Sequence, residues 1–209
     1  IFKNMSFRIE KKFRVEQKKL IQLYSWLDKN QAVKIYNDRY IKSIYFDNNN
    51  FSSYHDSTEG VVPRKKIRLR NYSKNKFDFN NLKLEIKINS VEGRYKTSEN
   101  FRNNSNNLNN GIHDNFYGTC FPKIIISYKR EYYKVYGYRI TVDREIQYDN
   151  FDLKKKFLNT INENRVIMEL KTNFNSDEND INEKFPFEII RFSKYCFGIE
   201  KIYKNIIFN

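Results

Sequence analysis

The sequence contains few of the residues that several common kinds of site require. Its 209 residues include 2 His and 2 Cys, the latter being Cys120 and Cys196. The chain therefore has almost none of the His residues that a His-based zinc site or a Ser-His-Asp triad needs. Two cysteines also cannot form a disulfide framework. There is no Gly-rich phosphate loop of the Walker or dinucleotide-binding type. Any phosphate must therefore be bound by side chains.

Long apolar runs are missing as well. No stretch approaches the roughly 20 apolar residues that a membrane-spanning helix needs, and no signal peptide is visible. We therefore expect no transmembrane segment in this chain and a cytoplasmic, reducing location.

Positive charge and aromatic side chains are abundant. The chain has 39 Lys and Arg against 25 Asp and Glu, for a net charge of +14. Because hydrophobic residues make up 39% of the chain and aromatic residues 17%, we expect it to fold, as a single domain over residues 1–209. Its basic character implies an acidic partner, which this composition leaves open among nucleic acid, a membrane surface, a nucleotide and inorganic polyphosphate.

Alternation of charged and apolar residues dominates the chain. In Lys66-Ile67-Arg68-Leu69-Arg70 three cations alternate with two apolar residues, so a strand would place the cations on one face. We predict α+β structure with eight such strands and flanking helices. The predicted strands cover residues 7–14, 40–47, 64–72, 82–88, 94–98, 123–130, 136–144 and 165–171. The predicted helices cover 15–30, part of 48–60, 151–162 and 187–203, and the predicted loops 100–115 and 173–182.

The charged faces have two possible explanations. A single charged face on a strand is most simply explained by contact with water. However, the same faces recur along the chain, and Glu10, Glu85 and Glu169 share them with Lys and Arg, as a metal-assisted phosphate site requires. The repeated pattern therefore favours a closed sheet that encloses cations and binds a polyanion. Asp143 is expected to order a neighbouring Arg.

The order and spacing of eight short motifs resemble the polyphosphate polymerase domain of the vacuolar transporter chaperone (VTC) family, a member of the CYTH-like triphosphate tunnel superfamily. The resemblance extends from about Arg8 to Tyr195. The motifs are Arg8-Ile9-Glu10-Lys11-Lys12-Phe13, Ser43-Ile44-Tyr45-Phe46-Asp47, Lys66-Ile67-Arg68-Leu69-Arg70-Asn71-Tyr72, Leu84-Glu85-Ile86-Lys87, Tyr128-Lys129-Arg130, Tyr138-Arg139-Ile140-Thr141-Val142-Asp143-Arg144, Met168-Glu169-Leu170-Lys171 and Phe192-Ser193-Lys194-Tyr195.

The resemblance implies an antiparallel, eight-stranded triphosphate tunnel barrel. It implies transfer of the terminal phosphoryl group of ATP to inorganic polyphosphate, assisted by Mn²⁺ or Mg²⁺, with no nucleic acid partner expected. The implied catalytic residues are Lys12, Arg68, Arg70, Lys87, Arg130, Arg139 and Lys194. The implied substrate-binding residues are Lys66, Tyr128, Lys171 and Ser193. The implied metal ligands are Glu169, Glu10 and Glu85.

One departure from the related CYTH-type triphosphatases bears on the reaction. Those proteins carry E-x-E-x-K on the first strand, whereas this chain has Arg8-Ile9-Glu10-Lys11-Lys12. The exchange of a carboxylate for Arg8 favours a polymerase. Two alternatives stay open: a metal-dependent triphosphatase acting on inorganic triphosphate, a nucleotide or an RNA 5′ end, and a non-catalytic module that binds polyphosphate or nucleic acid. Whether the protein has a membrane-associated partner is unknown.

Overall fold

The computed structural model describes residues 8–72, 81–91, 93–101, 108, 110–151, 160–173 and 177–207. Within them the chain forms eleven strands, four α-helices and a 3₁₀ turn at Gln17–Lys19. The strands are β1 (Arg8–Glu16), β2 (Val33–Asp47), β3 (Arg64–Asn71), β4 (Lys83–Ser90), β5 (Gly93–Asn100), β6 (Ile112–Asp114), β7 (Gly118–Val135), β8 (Tyr138–Asn150), β9 (Ile161–Asn162), β10 (Arg165–Asn173) and β11 (Glu188–Ile189). The helices are α1 (Leu20–Lys29), α2 (Ser52–Glu59), α3 (Glu178–Lys184) and α4 (Lys194–Ile207).

The strands form one antiparallel sheet in the order β11-β1-β10-β8-β7-β2-β3-β4-β5, with β6 on β7 and β9 on β8. Among the described residues no ladder joins β5 to β11, so the prediction of a closed eight-stranded barrel is wrong. The sheet nevertheless curls strongly, as twisted sheets do. Lys87 Nζ on β4 donates to Glu10 Oε2 on β1 at 2.9 Å, although five strands separate β4 from β1 in the sheet order. A side-chain contact therefore joins the two sides of the sheet.

All eight predicted strands lie on observed strands, but four smaller elements differ from prediction. β6 lies in the predicted loop 100–115, β9 at the end of the predicted helix 151–162, and β11 at the start of the predicted helix 187–203. α3 begins at Glu178 and covers the second half of the predicted loop 173–182. Residues 102–107 and 109 of the first predicted loop, 152–159 of the predicted helix and 174–176 of the second predicted loop lie outside the described residues.

The inner face of the curled sheet carries both apolar and charged residues. On β7, Ile124, Ile126 and Tyr128 are buried on the same face as Arg130. On β8, Glu145 has a φ of 56° and the pairing with β7 shifts register nearby, so the inner face continues at Ile146, as a bulge allows. One half of β7 and of β8 therefore packs in the apolar core, and the other half faces the enclosed space.

Two helices close this apolar half. Asp47, at the end of β2, caps the start of α2, since its Oδ1 accepts from Ser53 N and its Oδ2 from Tyr54 N, both at 3.0 Å. α4 approaches the sheet so closely that a Cβ on Gly198 would lie 2.5 Å from Ile124 Cδ1 and 2.6 Å from Tyr148 Cδ1. The glycine therefore fixes how near α4, with Lys194 at its start, lies to the inner face.

The outer face is covered separately. α1 places Leu23 and Leu27 on one side, four residues apart, and both pack with Phe13 and Met168 in an apolar cluster. A further cluster around Ile44, Ile67 and Leu69 covers the outside of β2 and β3. Apolar surface thus stabilises the sheet from outside, which leaves the interior available for charge. None of the helices in the described ranges combines the length and the apolar character needed to cross a bilayer.

A candidate phosphate-binding channel

The curled sheet encloses a cavity of about 690 Å³, here called the cationic channel. Fourteen of its lining residues are Lys or Arg, and two, Glu10 and Glu169, are Glu. The lining cations are Lys12, Arg39, Arg64, Lys66, Arg68, Arg70, Lys87, Arg94, Lys96, Arg130, Arg139, Lys171, Arg191 and Lys194. This excess of positive charge makes the cavity attractive to polyanions.

Glu169 lies at the centre of one charged cluster. Its carboxylate is 3.2 Å from Arg130 Nη2, 3.3 Å from Lys194 Nζ and 3.9 Å from Lys12 Nζ. Burial opposes its ionisation, but Lys194, Arg130 and Lys12 hold the pKa of Glu169 well below its usual range. Glu169 is therefore an anion among three cations.

Asp143 lies behind this cluster and orders it. The side chain is fully buried and does not line the channel. Arg130 donates to it from Nε at 2.5 Å and from Nη2 at 2.6 Å, while Lys194 Nζ donates to Oδ2 at 2.5 Å. Burial alone would lower the pKa of Lys194, but Asp143 and Glu169 raise it above its ordinary value. Lys194 is thus kept charged inside the protein.

Glu85 has the corresponding role on the opposite wall. Its Oε2 accepts from Arg68 Nε and Nη2 at 2.9 and 2.7 Å, and its Oε1 accepts from Lys96 Nζ at 2.8 Å. Arg70 Nη1 is 3.7 Å away. Burial opposes ionisation, but Arg68 and Arg70 lower the pKa of Glu85 to about 2. Like Asp143, it does not line the channel.

Hydroxyl groups fix the remaining donors. Arg70 Nε donates to Ser43 Oγ at 3.1 Å, and its Nη2 donates to Tyr128 Oη at 3.2 Å. Lys66 Nζ donates to Ser193 Oγ at 2.9 Å. Because hydroxyl groups carry no charge, they orient Arg70 and Lys66 without adding negative charge beside them.

Two buried groups in the channel change protonation near neutral pH. Burial, together with the nearby cations Lys194 and Lys87, lowers the pKa of Lys12 to about 8 although Glu169 opposes the shift. Tyr45 Oη accepts from Arg68 Nη1 at 2.8 Å. Burial would raise the pKa of Tyr45, but the surrounding cations, Arg68 first, lower it to about 8. The charge of the empty channel therefore depends on pH above about 7.

The structure brings the predicted site residues together with one exception. Of the fourteen residues, all but Glu85 line the cationic channel. Glu85 lies behind Arg68, with both oxygens accepting from cations. Their binding of phosphate or metal stays a prediction, but their placement on one cavity shows that the charged faces point inward rather than to bulk water.

A family model for the VTC domain matches residues 7–116 and 90–203. The chain belongs to the VTC-domain family. No curated protein is significantly similar to it in sequence.

The fold of this VTC domain is also found in solved structures of low sequence identity. A Bacillus halodurans protein proposed to be an adenylate cyclase is 13% identical with a TM-score of 0.59, over 95% of this chain and 98% of the other. A Vibrio parahaemolyticus protein, also proposed to be an adenylate cyclase, is 13% identical with a TM-score of 0.53 over 99% and 100%. The Pyrococcus horikoshii protein PH1012 is 10% identical, with a TM-score of 0.54, over 90% and 98%. At these identities the similarity concerns the fold alone.

The carboxylates of the VTC domain suit a metal only in part. Within the described ranges no three His, Cys, Asp or Glu side chains form a group that could hold a metal ion. Glu10 and Glu169 lie on the same face of adjacent strands and are close enough to repel each other. Two carboxylates fit a divalent ion whose other ligands are phosphate oxygens, since Mg²⁺ is usually held in that way.

Several channel residues escaped prediction from sequence. They are Arg39, Arg64, Arg94, Lys96 and Arg191, all of which line the channel of the VTC domain. Only Arg64 carried a clear signal, because it has the same alternation as Lys66, Arg68 and Arg70 on β3.

Proposed function

We propose that this VTC domain is a metal-dependent polyphosphate polymerase that transfers the terminal phosphoryl group of ATP to a growing polyphosphate chain inside the cationic channel. The observation that carries the proposal is the set of fourteen cations and two carboxylates facing one cavity. A chain of phosphates supplies many negative charges, and a cavity lined by fourteen cations suits it better than it suits a small monovalent anion. Membership of the VTC-domain family supports the same substrates.

Phosphoryl transfer requires little covalent chemistry from the protein. Charge is spread over the oxygens of the transferred group, so alignment and electrostatic stabilisation supply most of the catalysis. Lys12, Arg130 and Lys194 converge near Glu169 and would surround such a group. A unit ion pair at about 4 Å contributes about 4 kcal/mol at an effective dielectric near 20, before desolvation is subtracted. Several such contacts are enough for a large rate effect.

Glu10 and Glu169 would hold the divalent ion, Mn²⁺ or Mg²⁺. Both carboxylates line the channel beside cations, Glu10 next to Lys87 and Glu169 next to Lys194. The bound ion would supply a further positive charge to the phosphate oxygens. Beside that ion, Lys87 and Lys194 would donate to the phosphate oxygens.

Incubation of the purified chain with ATP and MnCl₂ tests the proposal directly. We expect polyphosphate ladders on a gel, with one ADP released for each phosphate incorporated, and no product in EDTA. Lys12→Gln should reduce the rate about 10²-fold or more, because it removes a donor to the transferring oxygens.

Lys11→Gln is the matched control. Lys11 precedes Lys12 on β1, and its Nζ pairs with Glu178 Oε1 at 3.0 Å, on the other face of the strand. The two variants lose the same charge one residue apart, and Lys11→Gln should leave the rate within about twofold. Equal losses in both variants would contradict the proposed site.

A triphosphatase is the second candidate. Glu10 and Lys12 match the second Glu and the Lys of the E-x-E-x-K pattern, and both line the channel. Release of ADP and phosphate without chain growth would favour this reaction over polymerisation. If Glu169→Gln changed neither phosphate binding nor any slow turnover, a non-catalytic binding module would be favoured instead.

A further inference from the structure

The two ends of the cationic channel differ in chemistry. β3 has eight residues, which at about 3.3 Å per residue span roughly 26 Å. Arg64 begins this strand and Tyr72 follows it. The antiparallel register places Arg39 and Arg139 toward the Tyr72 end, and Arg94 toward the Arg64 end.

Arginine and tyrosine side chains pack together at the Tyr72 end. Arg39 Cζ lies 5.4 Å from the ring centroids of both Tyr36 and Tyr132, and 5.8 Å from that of Tyr72. Arg139 Cζ lies 5.5 Å and 5.6 Å from the Tyr36 and Tyr132 centroids. The Tyr36 and Tyr132 rings meet edge to face at 5.5 Å. Two guanidinium groups therefore share the same pair of rings.

These arginines have no acidic partner in the part of the chain that the structure describes. Both are exposed, and both guanidinium groups contact the Tyr36 and Tyr132 rings. Tyr36 and Tyr72 are each 48% exposed, whereas Tyr132 is buried. Flat, uncompensated and accessible groups thus border the channel, next to Lys171, which pairs with Arg139 in the sheet.

The Arg64 end is built differently. Arg64 Nη1 donates to the carbonyl oxygens of Gly60 and Val61 at 3.1 and 2.7 Å. Arg191 Nη2 donates to those of Ser57 and Thr58, both at 3.2 Å. Backbone carbonyl groups at the end of α2 therefore accept hydrogen bonds from these two guanidinium groups. At the Tyr72 end, the guanidinium groups pack against aromatic rings instead.

Aromatic rings and guanidinium planes are the surfaces on which proteins stack nucleobases, and such stacking tolerates any base. We propose that Tyr36, Arg39, Tyr72, Tyr132 and Arg139 form a nucleoside subsite, which stacks the base of a nucleoside triphosphate whose phosphates extend into the cationic channel. This inference rests on the proposed function, because that function requires a nucleotide donor.

Binding measurements with nucleotide and base-free ligands test the inference. Dissociation constants for ATP, GTP and inorganic tripolyphosphate are measured by calorimetry for the wild type, Arg39→Lys and Arg39→Ala. Arg39→Lys keeps the charge and removes the plane. It should weaken ATP and GTP by about tenfold, because base stacking is worth about 5- to 150-fold in affinity, and weaken tripolyphosphate less than twofold. Arg94→Lys makes the same change at the Arg64 end and should leave the ratio of ATP to tripolyphosphate affinity unchanged.

Each outcome has one meaning. Selective loss of nucleotide affinity in Arg39→Lys supports the subsite, and Arg39→Ala should then weaken nucleotides at least as much. Equal weakening of ATP and tripolyphosphate overturns it, because the cluster would then be an anion site only. No change in either ligand also overturns it. If the wild type binds ATP with a base-dependent gain but forms no polyphosphate, the polymerase proposal fails and the subsite stands.

Discussion

Removal of the Asp143 charge should destabilise the protein and make its stability depend on anions. Asp143 has 0% exposure and pairs with both Arg130 and Lys194. With Lys12 and Glu169 these residues form a group of three cations and two carboxylates, with a net charge of +1. In Asp143→Asn the net charge of this group becomes +2, at nearly unchanged volume.

The expected magnitude follows from the burial of the pair. Removal of one partner from a buried ion pair costs about 3–5 kcal/mol, because the remaining charge loses its compensation. For a chain of this size each kcal/mol lowers the melting temperature by about 2–4 °C, so Asp143→Asn should melt about 10 °C below the wild type. A bound polyphosphate replaces the missing negative charge. Tripolyphosphate should therefore raise the melting temperature more in the variant than in the wild type.

Thermal melts followed by circular dichroism, with and without tripolyphosphate at constant ionic strength, measure both effects. Glu145→Gln is the control, because Glu145 lies on the same strand, is 53% exposed and pairs with Arg144 at 2.6 Å. As an exposed pair contributes little, this variant should melt within about 2 °C of the wild type. The reasoning is refuted if Asp143→Asn melts within about 2 °C of the wild type, or if tripolyphosphate stabilises the two proteins equally.

Three further predictions concern the whole channel, its pH dependence and its wall. Tripolyphosphate at a hundredfold excess over its dissociation constant should stabilise the wild type by about 2.7 kcal/mol, and chloride at equal ionic strength should not. Tripolyphosphate affinity should fall about tenfold or more between pH 7 and pH 9. The reason is that above about pH 8 Lys12 loses its positive charge and Tyr45 gains a negative one. Equal affinities measured by calorimetry at both pH values would argue against these titrations. The pKa of Glu85 is lowered to about 2. Ionised Glu85 therefore contributes on the order of 3 kcal/mol to the free energy of unfolding above pH 4.5, and this contribution is lost as pH falls toward 2. Glu85→Gln should flatten the pH dependence of urea unfolding between pH 5 and pH 3, and an unchanged slope would contradict this.

The long strands and the inward direction of their charges could be predicted because both depend on alternation. A strand buried on one face repeats every two residues, and β3, β4 and β10 keep that repeat without interruption. Family motifs then assigned the residues at those positions to phosphate or metal binding. Closure could not be predicted in this way, because alternation is the same in a closed barrel and in a curled open sheet. The interior contact between Lys87 and Glu10 exists only once the sheet has curled.

Two of the missed residues, Arg39 and Arg191, lie where the alternation fails. The pairing of β2 with β7 shifts register between Tyr36 and Arg39, so the inward position of Arg39 does not follow from counting in twos. Arg191 precedes α4 in irregular chain and is held by carbonyl oxygens of α2, which are far away in sequence. α3 is helical because Asp177 caps its first turn, and only Ile181 of its residues is buried, so it has no hydrophobic repeat to detect.

The position of each carboxylate decides whether it competes with a ligand. Asp143 and Glu85 lie behind the channel wall, where they orient Arg130, Lys194 and Arg68 through hydrogen bonds without occupying the cavity. Glu10 and Glu169 line the cavity and would meet a ligand or its metal ion. Because Asp143 and Glu85 compensate the lining cations from behind the wall, the folded chain tolerates clustered cations. The lining still has twelve more positive than negative side chains, an excess that a bound polyanion would neutralise.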